Sequence, residues 1–392
     1  MDKKAIEAVA LSIRSLSMDA IQKANSGHPG LPLGAAEAAA VLYGEVMKHN
    51  PANSKWADRD RFVLSAGHGS MLLYSILHLA GYKVTMDDIK TFRQVGSHCP
   101  GHPEYGDTDG VECTGGPLGQ GVSMAVGMAV AESMLAAKFN TAKHTIVDHY
   151  TYSLVGEGCL QEGVASEACS LAGNLKLGKL IVFYDENKIS IDGCTDITFT
   201  DDIKMRYESY GWQVLRGDMY DVEGMAKLVA EAKACSDKPS LIMLKSIIGK
   251  GAPKQNTADV HGAPLGAEAC KNTIINLGGD PENPFVIFDD VQEMYAKRKE
   301  ELKAIVAERH AEEEAWAAAN PEKAAQQKDW FNNVIPDIDW ANIQQKANDP
   351  TRNASANVLS VLSEKVPNMI VSSADLCNSD KTDGFLKHTH CI

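Results

Sequence analysis

Residues 150–187 read YTYSLVGEGCLQEGVASEACSLAGNLKLGKLIVFYDEN, and this stretch contains two short apolar runs rich in strand-forming residues. The runs at 150–155 and 180–184 are separated by residues 162–172, whose apolar positions recur at helical spacing. Strands that lack polar alternation and are separated by helices indicate a parallel sheet covered on both faces. The stretch therefore predicts an α/β fold with helices on both sides of a parallel sheet.

The same alternation of strands and helices extends in both directions along the chain. Two further apolar runs lie at 212–215 and 241–244, and helical patterns precede them at 201–210 and 222–234. Four more amphipathic helical patterns lie at 4–24, 34–48, 71–80 and 124–139. We therefore expect about the first 280 residues to form one large α/β domain.

Composition and charge argue against several functional classes for this chain. The chain has 392 residues, 44% of them hydrophobic, which suffices for about two to three domains with substantial cores. Its formal net charge of −14 would repel a nucleic-acid backbone, so no nucleic-acid partner is expected. Neither a signal peptide nor an uninterrupted apolar run of about 18 residues is present, which predicts a cytoplasmic protein without membrane contact. The nine scattered cysteines favour reduced thiols.

Acidic and amide side chains follow the two strands of the opening stretch. Glu157 lies between Gly156 and Gly158 directly after the first strand, and 185–187 (DEN) follow the second. In a parallel sheet both loops lie at the same edge, where such sheets bind ligands. Carboxylate, amide and carbonyl oxygens there suit Mg²⁺ or Ca²⁺ holding a diphosphate. A turn without metal is the alternative.

Four histidines occur in turns rich in glycine and proline. They are His28 in SGHPG, His68 in SAGHGS, His102 in CPGHPE and His261 in VHGAP. Imidazoles in such turns can donate to phosphates or hydroxyls and can transfer protons, although a single loop histidine is usually an ordinary solvated side chain. The segment 114–121, TGGPLGQG, precedes a helix and has the composition of an anion-binding loop, with a purely structural turn as the alternative.

Taken together, these motifs resemble the N-terminal diphosphate-binding domain of the transketolase family. The likeness rests on eight motifs in order over about the first 350 residues: SGHPG, SAGHGS, CPGHPE, TGGPLGQG, GEGCLQEG, ENKISIDG, IGKGAP and HGAPLG. The resemblance implies the thiamine-diphosphate-binding fold and a two-carbon ketol transfer from a ketose phosphate to an aldose phosphate. It also implies thiamine diphosphate, a divalent metal (Mg²⁺ or Ca²⁺), sugar phosphates as substrates and a homodimer.

The resemblance assigns roles to individual residues. The metal would be bound by Glu157, Asn187 and the carbonyl of Ile189. The cofactor would be lined by His68, Gly116, Leu118, Gly156, Gly158, Asn187 and His261. Catalytic proton transfer would involve His28, His102 and His261. Substrate contacts would come from His28, His261, Arg352, Ser355, Asp375 and Ser379, and the dimer interface would lie near Glu162 and Glu167.

Three features depart from the family pattern. The first metal ligand is normally Asp, and Glu157 extends its carboxylate by about 1.5 Å, which predicts weaker use of Mg²⁺ and retained Ca²⁺ binding. Ala258 stands where many relatives place an additional histidine. The chain ends at Ile392, before the pyrimidine-domain glutamate that activates the cofactor in this family.

The family likeness also sets the expected domain organisation. Residues 1–320 would form the diphosphate- and metal-binding domain, 321–350 a linker, and 351–392 the incomplete start of a pyrimidine-binding domain. Within the last part a helix is predicted at 352–364 and a buried strand at 368–371.

Two alternative functions stay open. One is a truncated or split-enzyme subunit that binds cofactor and metal but needs a separate chain with the pyrimidine domain for activity. The other is a related thiamine enzyme, such as a dihydroxyacetone synthase or a 1-deoxyxylulose-5-phosphate synthase. The motifs CPGHPE and HGAPLG favour a transketolase over the 1-deoxyxylulose-5-phosphate synthase. An NAD-binding fold is disfavoured because no GxGxxG follows a first strand.

Overall fold

The computed structural model describes residues 1–389, and the chain divides into two compact units, Met1–Ala315 and Trp316–Ile392. The first unit is built on a sheet of five parallel strands in the order β1-β2-β3-β7-β6, with a short antiparallel hairpin of β4 and β5 beside it. The strands are β1 Arg61–Leu64, β2 Thr151–Val155, β3 Leu180–Glu186, β4 Ile189–Ser190, β5 Gly193–Cys194, β6 Gln213–Asp218 and β7 Ser240–Lys245. The predicted parallel α/β sheet is thereby confirmed.

Helices flank this sheet. Their bounds are α1 Lys3–Ala24, α2 Gly30–Gly34, α3 Ala36–Val41, α4 Ser70–Leu79, α5 Met86–Lys90, α6 Gln120–Phe139, α7 Glu157–Gln161, α8 Gly163–Asn174, α9 Ile203–Ser209, α10 Val222–Ala234, α11 Ala267–Asn276 and α12 Asp289–Ala319. One of the described helices, α6, is long and apolar enough to cross a membrane by length and composition alone. It packs on β2 and α8.

The core lies between the sheet and the helices. Every residue of β2 is buried, and so are the first six residues of β3 and the first five of β7. Burial on both faces explains why these strands read as continuous apolar runs in the sequence. In register, Val155 at the end of β2 pairs with Tyr184, and the next residue of β3, Asp185, pairs with Leu244 of β7. The carboxyl ends of β2, β3 and β7 therefore meet at one edge.

Several features of the first unit differ from the sequence prediction, among them the hairpin of β4 and β5 and helices α5 and α11. Strand β1 was not predicted, because its four residues, RFVL, form too short an apolar run. The helix predicted at 34–48 begins at the last residue of α2 and continues, after a break at Ala35, as α3 and a π-helical turn at Leu42–Val46. A Cβ atom on Gly34, just before the break, would lie 2.9 Å from the carbonyl oxygen of Ile247, so the chain approaches its neighbour too closely for an ordinary side chain.

The second unit is helical in its described part. Its elements are α13 Pro321–Phe331, α14 Thr351–Lys365, α15 Cys377–Asp380 and α16 Asp383–His388. The helix predicted at 352–364 lies within α14, which packs against α16. The strand predicted at 368–371 is wrong: these residues are irregular, and Ile370 is 58% exposed. Because this unit offers no other strand among its described residues, a single extended segment has nothing to pair with.

Candidate functional site

A cavity of about 280 Å³ opens at the carboxyl ends of β2 and β3. It brings together residues from seven separate segments of the chain, and ten of the residues to which the family resemblance assigns roles line it. These are His28, His68, Gly116, Leu118, Gly156, Glu157, Gly158, Asn187, Ile189 and His261. His102 lies beside them, with its ring centre 6.1 Å from that of His28.

Glu157 is the buried acid of this cavity. It is the first residue of α7, directly after β2, and only 3% exposed. One carboxylate oxygen accepts a hydrogen bond from the backbone N–H of Lys188 at 2.6 Å. The other accepts from the hydroxyl of Tyr184 on β3. The carboxylate of one strand end is therefore fixed to the strand and loop beside it.

The electrostatics around Glu157 favour a cation. Burial raises the pKa of Glu157 to about 7, and the nearby charges of Asp185 and Glu186 add to this effect. Burial also raises the pKa of Asp185 to about 6. Among the described residues, no basic side chain forms an ion pair with Glu157. Acidic groups thus gather at one place without a compensating positive charge, which a divalent cation would supply.

The oxygen donors around Glu157 fit Mg²⁺ or Ca²⁺ in kind. Asn187 presents its side-chain oxygen toward the backbone N–H of Ile189, from which it accepts at 2.9 Å. The described residues contain no group of three His, Cys, Asp or Glu side chains that could hold a metal. A cation here would therefore depend on one carboxylate together with amide and backbone carbonyl oxygens, and hard cations accept such a set.

Three histidine rings also line the cavity. The rings of His68 and His261 stack with centres 4.9 Å apart, and that of His28 lies 5.3 Å from the first and 5.8 Å from the second. Burial lowers the pKa of His28 to about 4 and that of His68 to about 3, and the neighbouring rings contribute in the same direction. Burial also lowers the pKa values of His102 and His261. At neutral pH the cluster therefore consists of uncharged imidazoles.

One of these rings has an unused polar atom. The Nδ1 atom of His261 is buried and has no hydrogen-bond partner among the described residues. An unpaired buried nitrogen is costly, and a ligand that enters the cavity would relieve this cost.

Close backbone approach explains why the loops are rich in glycine. A Cβ atom on Gly67 would lie 2.7 Å from the backbone nitrogen of Gly116, and Gly116 itself has a φ of 134°. The turn with His68 and the TGGPLGQG segment can therefore meet only when both positions are glycine. The same segment leads into α6, where the N–H of Val122 donates to the Ser65 hydroxyl at 3.0 Å, which anchors the helix start to the turn after β1.

Arg93 joins the site although its sequence context gave no signal for it. Its guanidinium donates to the Ser26 hydroxyl at 2.8 Å and to Nδ1 of His28 at 3.3 Å. Because arginine can only donate, Nδ1 of His28 must be unprotonated and its Nε2 must carry the hydrogen. Arg93 follows a short helix rather than a glycine-rich turn, so only the folded chain reveals its role. Tyr184, on β3, and Ser246, directly after β7, were also missed, because only the fold brings them to Glu157 and Asp185.

Four of the remaining predicted residues belong to the second unit. Arg352 and Ser355 are on α14, and Asp375 and Ser379 follow it in the second unit, where Arg352 donates to the carbonyl oxygen of Ser379 at 3.3 Å. On the first unit, Glu162 and Glu167 are exposed at α8. Ala258 begins the short turn that leads to His261.

Known proteins resemble the chain over most of its length. Residues 3–336 match the family described as transketolase, thiamine diphosphate binding domain. The chain is 56% identical over 386 residues to a transketolase of Treponema pallidum, and 50% identical over 386 residues to transketolase 1 of Escherichia coli. These alignments cover 96% and 95% of this chain but 58% of each relative, so the chain spans less than two thirds of their length.

Solved structures agree with the sequence likeness. A transketolase from Leishmania mexicana superposes with a TM-score of 0.92 at 47% identity, covering 96% of this chain and 57% of that chain. A transketolase from Pichia stipitis in complex with sedoheptulose-7-phosphate also gives a TM-score of 0.92, at 44% identity and with the same coverage.

Proposed function

The chain belongs to the transketolase family, and from this we propose that it is the cofactor-binding part of a transketolase that moves a two-carbon ketol unit from a ketose phosphate to an aldose phosphate. The observation that carries this proposal is the convergence of Glu157, Asn187 and a cluster of neutral histidines on one cavity at the carboxyl edge of the sheet. Parallel sheets bind ligands at this edge.

The metal and the diphosphate would both bind in this cavity. Glu157, Asn187 and the carbonyl of Ile189 would hold Mg²⁺ or Ca²⁺, and the gathered acidic charge supports this assignment. His68, His261 and the backbone at Gly116, Leu118, Gly156 and Gly158 would line the cofactor. When bound, thiamine diphosphate supplies the carbanion chemistry of ketol transfer, and the protein supplies its orientation.

The histidines would handle protons at the sugar hydroxyls. His28, His102 and His261 are neutral at physiological pH because burial lowers their pKa values, so each can accept a proton through one nitrogen and donate through the other. The Arg93 contact leaves Nε2 of His28 as the donor. Donation from a neutral ring avoids placing a second positive charge beside Arg93.

Sugar phosphates would be the substrates, as the Pichia stipitis structures with sedoheptulose-7-phosphate and xylulose-5-phosphate suggest by analogy. Arg352, Ser355, Asp375 and Ser379 would add substrate contacts, for which the planar guanidinium of Arg352 is suited to a phosphate group. The same proposal includes a diphosphate- and metal-binding domain at 1–320, a linker at 321–350 and the start of a pyrimidine-binding domain at 351–392. It also includes a cytoplasmic role in the pentose phosphate pathway.

A homodimer would complete the arrangement. Large apolar side chains are exposed on α6 and at α8, on the part of the first unit that carries Glu162 and Glu167. They are Met124, Met134, Val164, Leu171 and Leu175. Helices α6 and α8 pack against each other, and exposed apolar side chains on adjacent elements commonly mark a protein interface.

Cofactor binding and turnover test the proposal separately. Calorimetric titration of the chain with thiamine diphosphate and Ca²⁺ should give saturable binding that Glu157→Gln weakens at least tenfold. The matched control is Glu208→Gln, at an exposed acid of α9, which should bind normally. Absence of binding by the folded wild-type chain would refute the proposal.

A coupled ketol-transfer assay then addresses activity. The chain should be assayed alone and together with the part of the Treponema pallidum transketolase that the alignment does not cover, since the alignment covers 58% of that relative. We expect turnover in the mixture, because the added part supplies what the alignment leaves uncovered of that relative. Binding without turnover in either assay would favour a subunit that holds the cofactor but does not catalyse the reaction.

A further inference from the structure

Asp185 occupies an unusual position for a carboxylate. It lies near the carboxyl end of β3, is 1% exposed, and contacts two polar side chains from different parts of the chain. One oxygen accepts from the side-chain amide nitrogen of Asn187 at 2.9 Å. The other accepts from the hydroxyl of Ser246. Both carboxylate oxygens are therefore engaged within the protein, at the edge of the cavity that Asp185 also lines.

The contact with Asn187 fixes which way its amide faces. An amide has a donating nitrogen and an accepting oxygen, whereas an ionised carboxylate only accepts. Only the nitrogen of Asn187 can therefore face Asp185, and the oxygen must face the other way. On that side it accepts from the N–H of Ile189 at 2.9 Å and lines the cavity that also contains Glu157.

Ser246 in turn fixes Asp185. It follows β7 directly, 61 residues after Asp185, and its backbone N–H donates to the carbonyl oxygen of Glu186 at 3.2 Å. The serine is 6% exposed, so its hydroxyl does not compete with bulk water for the carboxylate. The end of β7 is thereby connected through two side chains to the oxygen of Asn187.

We propose that Ser246 and Asp185 form a positioning pair that holds the Asn187 oxygen toward the cation site, so that the end of β7 controls metal affinity. This inference rests on the proposed metal role of Asn187. Partners behind the direct ligands commonly set ligand orientation, and their loss weakens metal binding by about 10- to 100-fold. Neither residue would touch the metal, the cofactor or the substrate.

The test measures Ca²⁺ affinity of the chain by calorimetry in the presence of thiamine diphosphate. Ser246→Ala removes the hydroxyl alone, and Asp185→Asn keeps the side-chain shape but allows either end of the Asn187 amide to face it. Ser246→Ala leaves every charge in place and should weaken Ca²⁺ binding about tenfold, whereas Asp185→Asn also removes an acidic charge and should weaken it at least as much. Ser246→Thr restores a hydroxyl at the same position and should restore the affinity.

Ser240→Ala is the matched control. Ser240 is fully buried at the opposite end of the same strand, where its hydroxyl donates to the side-chain oxygen of Gln213 at 2.9 Å. A purely structural role for Ser246 predicts that both alanine variants lower the melting temperature alike and leave Ca²⁺ affinity unchanged. A positioning role predicts that only Ser246→Ala changes the affinity.

Two different failures can be told apart. Normal Ca²⁺ affinity in folded Ser246→Ala and Asp185→Asn, with binding intact in the wild type, would overturn the positioning pair alone. No Ca²⁺ binding by the wild type would overturn the proposed metal site and the positioning pair with it.

Discussion

The backbone N–H of Lys188 donates to the carboxylate of Glu157 across 2.6 Å, which ties the loop after β3 to the first residue of α7 after β2. An aspartate at position 157 would be shorter by one methylene, about 1.5 Å, and could not keep this bond and the Tyr184 bond in the same geometry. The longer acid is therefore held on the protein by two donors. Because these two hydrogen bonds fix the carboxylate, its oxygens could shift little to meet a cation.

Replacement of Glu157 by Asp should move the metal preference toward Mg²⁺. The wild-type chain is expected to retain thiamine diphosphate better with Ca²⁺, because Ca²⁺ accepts longer and less regular coordination than Mg²⁺ does. Calorimetric titration with each ion gives the ratio of affinities, which Glu157→Asp should shift toward Mg²⁺. Glu208→Asp, at an exposed acid of α9, is the control and should leave the ratio as it is. A wild type that binds Mg²⁺ more tightly than Ca²⁺ would contradict the prediction.

The structure could be predicted from the sequence where it depends on a single segment of the chain. The continuous apolar runs of β2, β3 and β7 predict buried parallel strands, because no polar alternation is needed when both faces are covered. The glycine-rich turns predict close approach of loops, as Gly67 and Gly116 show.

Long-range pairs could not be predicted in this way. Ser246 meets Asp185 only because β7 lies next to β3, although other strands and helices separate them in the chain. Arg93 reaches His28 across 65 positions for a similar reason. The strand expected at 368–371 was wrong, because a short apolar run forms a strand only when a neighbouring strand is available.

Substitution of Arg93 by Gln should raise the pKa of His28. Burial is the main cause that lowers this pKa to about 4, and the positive charge of Arg93 is the second. Removal of the charge should raise the value by about one unit, and continued burial should keep it below 6.5. NMR titration of the His28 ring measures the change. Arg216→Gln, at an exposed arginine of β6, should leave the titration unaltered, and an equal shift in both variants would rule out the direct contact.

A methyl group at Gly67 should push two loops of the site apart. Because its Cβ would lie 2.7 Å from the Gly116 nitrogen, a backbone atom that cannot move aside freely, Gly67→Ala should lower the free energy of unfolding by about 2 kcal/mol. It should also weaken thiamine diphosphate binding. Gly384→Ala, where a Cβ meets nothing within 4 Å, is the control and should change neither quantity appreciably. Chemical denaturation and calorimetry provide the measurements.

The exposed apolar side chains of α6 and α8 should support self-association. Leu171 on α8 is 50% exposed, and a buried glutamate in its place would be costly at a dimer interface. Sedimentation analysis should find a dimer for the wild type and a shift toward monomer for Leu171→Glu. Ile275→Glu, at a comparably exposed position on α11, should remain dimeric. Dissociation by both variants would point to general destabilisation instead.

His49 should make the first unit sensitive to acid. Its ring is 1% exposed and stacks on Tyr82, with ring centres 5.7 Å apart. Nδ1 lies 3.2 Å from the Tyr82 hydroxyl and Nε2 lies 3.3 Å from the Tyr43 carbonyl oxygen. If Tyr82 donates and Tyr43 accepts, both nitrogens of a neutral ring are satisfied, so protonation would break one bond and bury a charge.

Burial lowers the pKa of His49 to about 4, whereas in the unfolded chain it should be near 6.5. Between these values the unfolded state binds more protons, so this contribution to stability is complete above pH 6.5 and is lost as the pH falls toward 4. The loss at pH 5 should be about 2 kcal/mol relative to pH 8. Urea denaturation across this range should show a shallower pH dependence for His49→Gln, which can keep both hydrogen bonds without titrating. His98→Gln, at an exposed histidine, should retain the wild-type slope, and an unchanged slope in His49→Gln would mean that other groups cause the acid sensitivity.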